Sequence, residues 1–434
     1  MENIALASIV LVISLFILLG SGVWIALSIL CASFLTFLYF TSLDPGQIMA
    51  ATMWDSSWSW ALTALPLFIW MGEILTKSGL SSNLFSGIAP WVSRWPGRLL
   101  HINVLGCGIM AAVSGSSAVT CATVGRMSIP ELVRRNYDTR MIIGSLAGSG
   151  TFGLLIPPSI ILIVYGVIAQ QSIARLFIAG IVPGLMLIAL FSSYICIWSI
   201  LNPSKDEMEV ENTSFTDKLK SSKQLLPVFL LIGCIIGSIY GGFATPTEAA
   251  SIGIIGALLI SIWRKMLTKR IFIDSLLAAT KTSCMIGFII ICAASLSIAV
   301  GFADLPRALA GWVNSLNLSS VLLIVVLTVF YLILGCFLEG ISILVLTTPV
   351  VLPMIMAVGI DPIWFGIYAV IVIEVAQITP PLGFNLIVLK SLTGRSIYEI
   401  TLATLPFLAI LLLAIVLIVI FPEIVTFLPT LMLR

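Results

Sequence analysis

Two apolar stretches of this chain each carry a Pro-Pro pair, Pro157-Pro158 within GTFGLLIPPS and Pro380-Pro381 within AQITPPLGFN, and the pairs stand 223 residues apart. Proline has no backbone donor and its ring clashes with the preceding turn, so such a pair breaks a helix. In lipid the freed carbonyls would be left without partners, and the break is tolerated only against an ion, water or protein. Interruptions at matching places in two halves therefore point to a binding site between duplicated units.

Composition identifies the solvent. Hydrophobic residues make up 60% of the 434 positions and charged residues 9%, which marks a polytopic membrane protein with lipid as its main surroundings. Strands alternating polar and apolar residues are not visible, which argues against an outer-membrane barrel and for an all-α class. The start, Met1-Glu2-Asn3 followed by an apolar run, lacks the basic region of a secretory signal, so the first helix is expected to stay. A net charge of +2 with no basic stripe gives no reason to expect nucleic acid as a partner. The eight cysteines, from Cys31 to Cys336, contain no Cys-x-x-Cys pair, and His101 is the single histidine, which argues against a zinc site or disulfide framework. They read as small core residues. No GxxxxGK[ST] loop is present, so ATP hydrolysis by this chain is not expected.

Apolar runs predict helices near 4 to 20, 22 to 41, 58 to 78, 141 to 170 and 173 to 200, then near 225 to 243, 248 to 263, 276 to 303, 363 to 392 and 398 to 425. That is five crossings per half. Two further apolar stretches, 99 to 127 and 321 to 357, are interrupted near their middles by Gly, Ser, Glu or Pro and read as re-entrant hairpins. Each precedes its half's Pro-Pro helix. Shifting Pro130, Pro157, Pro158 and Pro183 by 223 residues lands on Pro353, Pro380, Pro381 and Pro406, a coincidence that random placement does not produce. Five is odd, so the second copy must cross in the opposite sense, as inverted repeats do. The division is then a first repeat over 1–201, with scaffold helices in 1–78, a linker over 202–224 and a second repeat over 225–434.

Basic residues cluster at Arg126, Arg134, Arg135 and Arg140 and again at Arg264, Lys265, Lys269 and Arg270, assigning both loops to the cytoplasm. Trp54, Trp58 and Trp60 suit an interfacial belt at the outer end of the third predicted helix. The linker, with Asp206, Glu207, Glu209, Glu211 and Asp217 before Lys218, Lys220 and Lys223, reads as a solvated cytoplasmic segment or as a docking surface for a partner subunit.

The first hairpin holds Ser114, Gly115, Ser116 and Ser117, then Thr120, where the chain must reverse. Hydroxyls and exposed backbone there can coordinate a hard monovalent cation, with carbonyls around Gly150, Thr151 and Gly153, ahead of Pro157, completing a cage. Close helix packing by small residues accounts for the same composition. At the matching depth of the second half, Gly335, Glu339, Gly340 and Ser342 form the turn, and Thr379, Pro380, Gly383 and Asn385 surround the break, which predicts a second ion site. An ionised Glu339 inside the bilayer is costly unless it meets a cation, a proton or a cavity; exposure at the hairpin mouth is the alternative. Glu374 is a weaker candidate, expected to pair with a neighbouring helix. Half-helix starts facing one another would attract a carboxylate or sulfonate, with Ser116 or Thr120 donating from one side and Gly340 and Asn385 from the other. Thr245-Pro246-Thr247-Glu248 fits a capping box, Glu73 and Lys77 an ion pair, and Lys390 a snorkelling side chain.

With SGSSAVTCATVG, IPELVRRNYD, GTFGLLIPPSIILIVYG, SIARLFIAGIVPG, TPTEAASIG, LEGISILVLTTPVVLP and TPPLGFNLIVLK in that order, the chain resembles the large membrane subunit of tripartite ATP-independent periplasmic (TRAP) transporters over almost its full length. The resemblance implies a sodium-driven importer of organic acid anions, such as dicarboxylates or sialic acids, in the bacterial inner membrane. It implies a separate small four-helix membrane subunit, a periplasmic protein that captures the substrate, and an elevator motion of hairpins and broken helices against a scaffold. By the same resemblance one sodium site falls at Ser114 to Ser117 with Gly150 to Pro157, and another at Gly335 to Glu339 with Thr379 to Gly383. Two other classes compete. A proton-coupled transporter or ion-translocating subunit would need a chain of ionisable residues, for which only Glu339 and Glu374 are at hand. An intramembrane enzyme would need Asp clusters, a His-Glu metal motif or a serine with a histidine partner, and these are missing.

Overall fold

The computed structural model describes residues 2–203, 215–223, 225–315, 319–380 and 383–432, and within them the regular structure is helical throughout. The acidic linker residues Asp206, Glu207, Glu209 and Glu211, and Pro381 of the second Pro-Pro pair, lie outside the described residues.

In chain order the first half contains α1 (Glu2–Gly20), α2 (Ile25–Phe40), α3 (Pro45–Ser57), α4 (Ala64–Lys77), α5 (Leu80–Val92), α6 (His101–Ser114), α7 (Ser117–Arg134), α8 (Thr139–Gly150), α9 (Ile160–Ile168) and α10 (Ile173–Leu201). Helix α11 (Phe215–Ser222) follows. The second half contains α12 (Leu226–Tyr240), α13 (Pro246–Trp263), α14 (Lys269–Phe302), α15 (Leu305–Ser315), α16 (Ser320–Gly335), α17 (Gly340–Ala357), α18 (Pro362–Gln377), α19 (Phe384–Thr393), α20 (Ile397–Ile420) and α21 (Glu423–Leu431).

The 223-residue offset of the prolines also relates helix bounds: α7 shifted by that amount coincides with α17 at both ends, and α5 falls on α15. The two stretches read as hairpins are each a pair of helices, α6–α7 and α16–α17, and the chain is interrupted between α8 and α9 and between α18 and α19. Five helices differ from expectation. α3, α5, α11, α15 and α21 were not anticipated, and α11 occupies part of the segment read as a linker. They are short and carry polar residues among their apolar ones, so no continuous apolar run announces them. Among the described residues, α10, α13, α14, α17 and α20 are long and apolar enough to cross a membrane singly, and α3 with α4 would make a sixth span bent by 57°. Others are shorter: the 16 residues of α2 reach about 24 Å, less than the hydrocarbon thickness of about 30 Å.

Packing joins the halves crosswise. α4 lies on α13 and α14, α2 on α14, α7 on α19, and α17 on α9, so each half completes its neighbour. Close approach is set by small residues: a Cβ on Gly144 of α8 would collide with the Ala403 backbone of α20. Buried aromatics fill the centre, with Phe152 stacked on Phe191 at 5.3 Å and Phe191 edge-on to Phe407 at 5.3 Å. Their polar counterparts are satisfied, Tyr165 donating to the Pro362 carbonyl at 2.6 Å and Tyr331 sharing a 2.9 Å bond with Thr347.

Elsewhere the local readings hold. Thr245 and Glu248 form the reciprocal capping box at the start of α13. Glu73 pairs with Lys77 at 3.1 Å, and Lys77 also donates to the Asp274 carbonyl at 2.8 Å, tying α4 to α14. Arg135 and Arg134 each lie 2.7 Å from Glu131 at the end of α7, and their hydrogen bonds hold its carboxyl below the usual range. Ser222 of α11 accepts from the Trp91 indole of α5 at 2.7 Å, with the Lys218 ammonium 5.8 Å from the Trp91 ring centre.

Candidate functional site

The first hairpin reverses at Gly115, whose φ of +59° belongs to the left-handed region that glycine adopts without strain. A side chain there would also press on the Pro158 carbonyl at 3.0 Å, so the turn lies directly against the first break. Gly153 completes this contact: a Cβ on it would overlap the Ser116 carbonyl and stand 2.7 Å from the Ser117 nitrogen. Gly150 meets Cys121 of α7 in the same way. Within the tip, Ser114 and Thr120 share a 2.8 Å hydrogen bond, and the Ser114 hydroxyl lies 3.3 Å from the Ser116 carbonyl. Thr151 is turned back to the Gly148 carbonyl at 2.8 Å, and Pro157 packs toward Gly180 of α10. Ser159 donates to the Leu154 carbonyl across the break.

The second hairpin meets the second break through other groups. A Cβ on Gly335 would run into Ala376 of α18, and the Cys336 sulfur stands 3.5 Å from the Pro380 carbonyl. Thr379 donates to the Val375 carbonyl at 2.7 Å, and the Gly383 nitrogen donates to the Thr379 carbonyl at 3.1 Å, turning the chain toward α19. Gly340 is pressed between Ile373 and Gln377 of α18, with Ile161 of the first half beyond. Glu339 is half-buried, its Oε2 3.5 Å from the Ser342 hydroxyl.

Both tips and both breaks open onto one cavity of about 290 Å³. The first tip contributes Ser114 to Val119, the second Glu339 and Ile341. The first break contributes Leu154, Ile160 and Ile161, the second Gln377 and Phe384. Its remaining wall comes from Gly72 and Glu73 of α4 and from Thr282, Met285 and Ile286 of α14. Ser114, Gly115, Ser116, Ser117 and Glu339, all anticipated from sequence, are thus brought together. Thr120, Gly340 and Asn385 are not among the lining residues, nor are Gly150, Thr151, Gly153, Pro157, Gly335, Thr379, Pro380 and Gly383. Thr120 is engaged by Ser114, and Asn385 is fully buried with its amide atoms unpartnered among the described residues. Glu374 corrects an expectation: it is fully buried, and neither carboxylate oxygen has a hydrogen-bond partner among the described residues. Glu73, Gln377 and Thr282 were missed as cavity residues. Glu73 carried a signal, an acid inside an apolar run, but only the packing of α4 against the first tip aims it here.

Four helices begin at this cavity: α7 after Ser116, α9 after Ser159, α17 after Glu339 and α19 after Gly383. A helix start leaves backbone N–H groups unpaired and carries the positive end of the dipole. Ser159 caps α9 through the Leu162 nitrogen and the Glu339 carboxylate accepts from the Ile341 and Ser342 nitrogens at the start of α17, whereas Ser116 and Gly383 make no side-chain capping bond. The helices that precede the two breaks are treated differently: Asp138 accepts from Arg140 and Met141 at the start of α8, and Asp361 from Ile363 and Trp364 at the start of α18. Donors at α7 and α19 are thus left for something other than the chain's own side chains, which suits an anion.

Comparison with known proteins identifies the family. The family model described as "Tripartite ATP-independent periplasmic transporter, DctM component" matches residues 12–424. The C4-dicarboxylate TRAP transporter large permease protein DctM of Pseudomonas aeruginosa is 34% identical over 91% of this chain and 92% of its own length. The isethionate TRAP transporter permease protein DctMQ of Oleidesulfovibrio alaskensis is 32% identical over 90% of this chain and 61% of its own, greater length. Among solved structures, the YdaH transporter of Alcanivorax borkumensis has the same fold, with a TM-score of 0.64 over 91% of this chain and 96% of that one at 14% identity. The chain belongs to the DctM family of TRAP transporter large permeases and is a multi-pass membrane transport protein, not an enzyme.

Proposed function

We propose that this chain takes up an organic acid anion across the bacterial inner membrane, coupled to sodium, by an elevator mechanism. The observation that carries this reading is the convergence of two hairpin tips and two broken helices on one cavity, two of whose four helix starts lack a side-chain cap. Cargo sits there with its acid group at the helix starts. Sodium is held by Ser114, Gly115 and Ser117 with Gly150, Thr151 and Gly153 near Pro157, and by Gly335 and Glu339 with Thr379, Pro380 and Gly383. Each set combines hydroxyl or carboxylate oxygens with non-helical backbone, the ligand chemistry a hard cation needs. Relatives named for C4-dicarboxylates and isethionate support the acid class of the cargo, and a relative named DctMQ supports a small membrane subunit as partner. A periplasmic protein delivers the cargo, and the two halves are oppositely oriented so that α6–α9 and α16–α19 move together past α4 and α14.

The test is uptake into proteoliposomes holding this chain and the small subunit, with the capture protein outside. Uptake is expected only with an inward sodium gradient, and Glu339→Gln is expected to lower it at least tenfold. Uptake of equal rate in sodium-free medium removes the coupling, and a normal rate in Glu339→Gln removes that residue from the sodium site.

A further inference from the structure

Donors gather on the side of the cavity made by the hairpins and the breaks. Ser117, Ala118 and Val119 line it at the start of α7, ahead of the Thr120 nitrogen, which is the first to bond back, to the Ser116 carbonyl at 3.0 Å. Phe384 lines it at the start of α19, ahead of the Leu386 nitrogen, which bonds the Gly383 carbonyl at 2.8 Å. Nitrogens that precede the first such bond have no partner within their helix. Gln377, from the end of α18, adds a side chain to this set. It is only 5% exposed and its Oε1 is sealed off, so the amide nitrogen is the end that reaches the cavity, and among the described residues that nitrogen has no acceptor. It stands 3.2 Å from where a Gly340 side chain would begin, beside the second hairpin tip. A nearly buried donor without an acceptor forgoes a hydrogen bond that a bound anion restores. The opposite wall, from α4 and α14, has another character: it presents Ile69, Met285 and Ile286. Its polar members are Thr282 and Glu73, and Glu73 is already met by Lys77 at 3.1 Å. Glu339 is likewise engaged, by the Ile341 and Ser342 nitrogens. None of the lining residues is Lys, Arg or His, so the far wall offers no second group of donors.

We infer that the cargo carries a single acid group, held by the Gln377 amide nitrogen and the starts of α7 and α19, and an apolar body that rests against Ile69, Met285 and Ile286. This rests on the cavity being the cargo site and narrows the cargo from organic anions at large to monoacids with a hydrocarbon end. A second carboxylate at the far end of the molecule would leave water for an apolar wall, with the Thr282 hydroxyl as the one side-chain donor there and the Glu73 carboxylate beside it. Burial of a charge so poorly matched is costly. A hydrocarbon group of the same shape gives up nothing to enter, and its removal from water favours binding. Gln377 is then the residue that reads the acid group, and a carboxylate in its place would repel the cargo by charge while keeping the shape of the side chain.

Two matched pairs test this on the full chain in sodium-containing nanodiscs, with binding read by calorimetry against empty nanodiscs. Succinate is paired with 4-methylpentanoate and glutarate with 5-methylhexanoate, so that in each pair an isopropyl group replaces the second carboxylate at nearly equal shape. The two monoacids are expected to bind at least about tenfold tighter than their diacid partners. Gln377→Met, which removes the donor, is expected to weaken monoacid binding about fivefold, and Gln377→Glu, which also adds a like charge, by more than that. If Gln377→Met does not insert, Gln377→Glu and the unaltered chain decide. Equal or tighter binding of succinate and glutarate overturns the inference while leaving the cavity as the cargo site. Monoacid binding that is unchanged in both variants removes Gln377 from the site and overturns the inference as well. Binding of none of the four overturns the cavity as the cargo site, and the inference with it.

Discussion

Gly153 shows how little freedom the first tip has. Its hydrogen occupies the space where a methyl would meet the Ser116–Ser117 peptide, and backbone cannot yield as a side-chain end can. Gly153→Ala is therefore expected to lower stability by about 1–3 kcal/mol and to separate the tip from the break. Gly237→Ala is the control, because nothing lies within 4 Å of a Cβ there. Thermal unfolding and sodium-dependent uptake of the two variants should diverge, with loss of both in the first only. At this scale the sequence was readable where chemistry is local. The serines of the tip and the carboxylate of Glu339 were visible because polar groups are scarce in apolar runs. Glu73 and Gln377 were not seen as cavity residues, since only long-range packing decides which side of a helix faces the cavity.

Among elements, the caps explain why α8 and α18 start where they do. Asp138 and Asp361 stand 223 residues apart and each accepts from two backbone nitrogens of its helix, Asp361 at 2.6 and 3.0 Å. Removing one by Asp361→Ala should cost about 1 kcal/mol, measurable as a lower unfolding temperature, whereas Asp361→Asn should keep most of it. A fall with Asn as large as that with Ala would mean that charge, not the capping geometry, holds α18. The breaks themselves were legible because two adjacent prolines leave a helix no alternative. Missed helices such as α5 and α15 share a different cause: their polar residues interrupt the apolar run by which a spanning helix is recognised, and their helicity depends on the surfaces they rest on. α7 also continues to Arg134, seven residues beyond the expected hairpin end at 127, because its polar last turns carry no apolar signal.

For the molecule as a whole, the cavity wall divides between hairpins and breaks on one side and α4 with α14 on the other. If the two parts move past each other, a reporter on α14 must change its surroundings during the cycle. Thr282→Cys, in a chain with its natural cysteines replaced, should react with a membrane-impermeant thiol reagent at a rate that changes at least threefold between sodium-free and sodium-loaded membranes. An unchanged rate would contradict relative motion at this wall. Of the four prolines that recur at the 223-residue offset, Pro157 and Pro158 lie at a break as Pro380 does, while Pro130, Pro183, Pro353 and Pro406 lie inside helices. How the halves interlock, α7 on α19 and α17 on α9, was not legible in the sequence, since no local pattern encodes which surfaces meet.

The two halves differ in one respect. Where α3 and α4 turn through 57°, with Trp58 and Trp60 at the corner, the second half runs as the single 34-residue rod α14. α2 therefore packs along a straight strut while α13, its counterpart by the 223-residue offset, packs on the elbow, so the two halves hold these partners with surfaces of different shape.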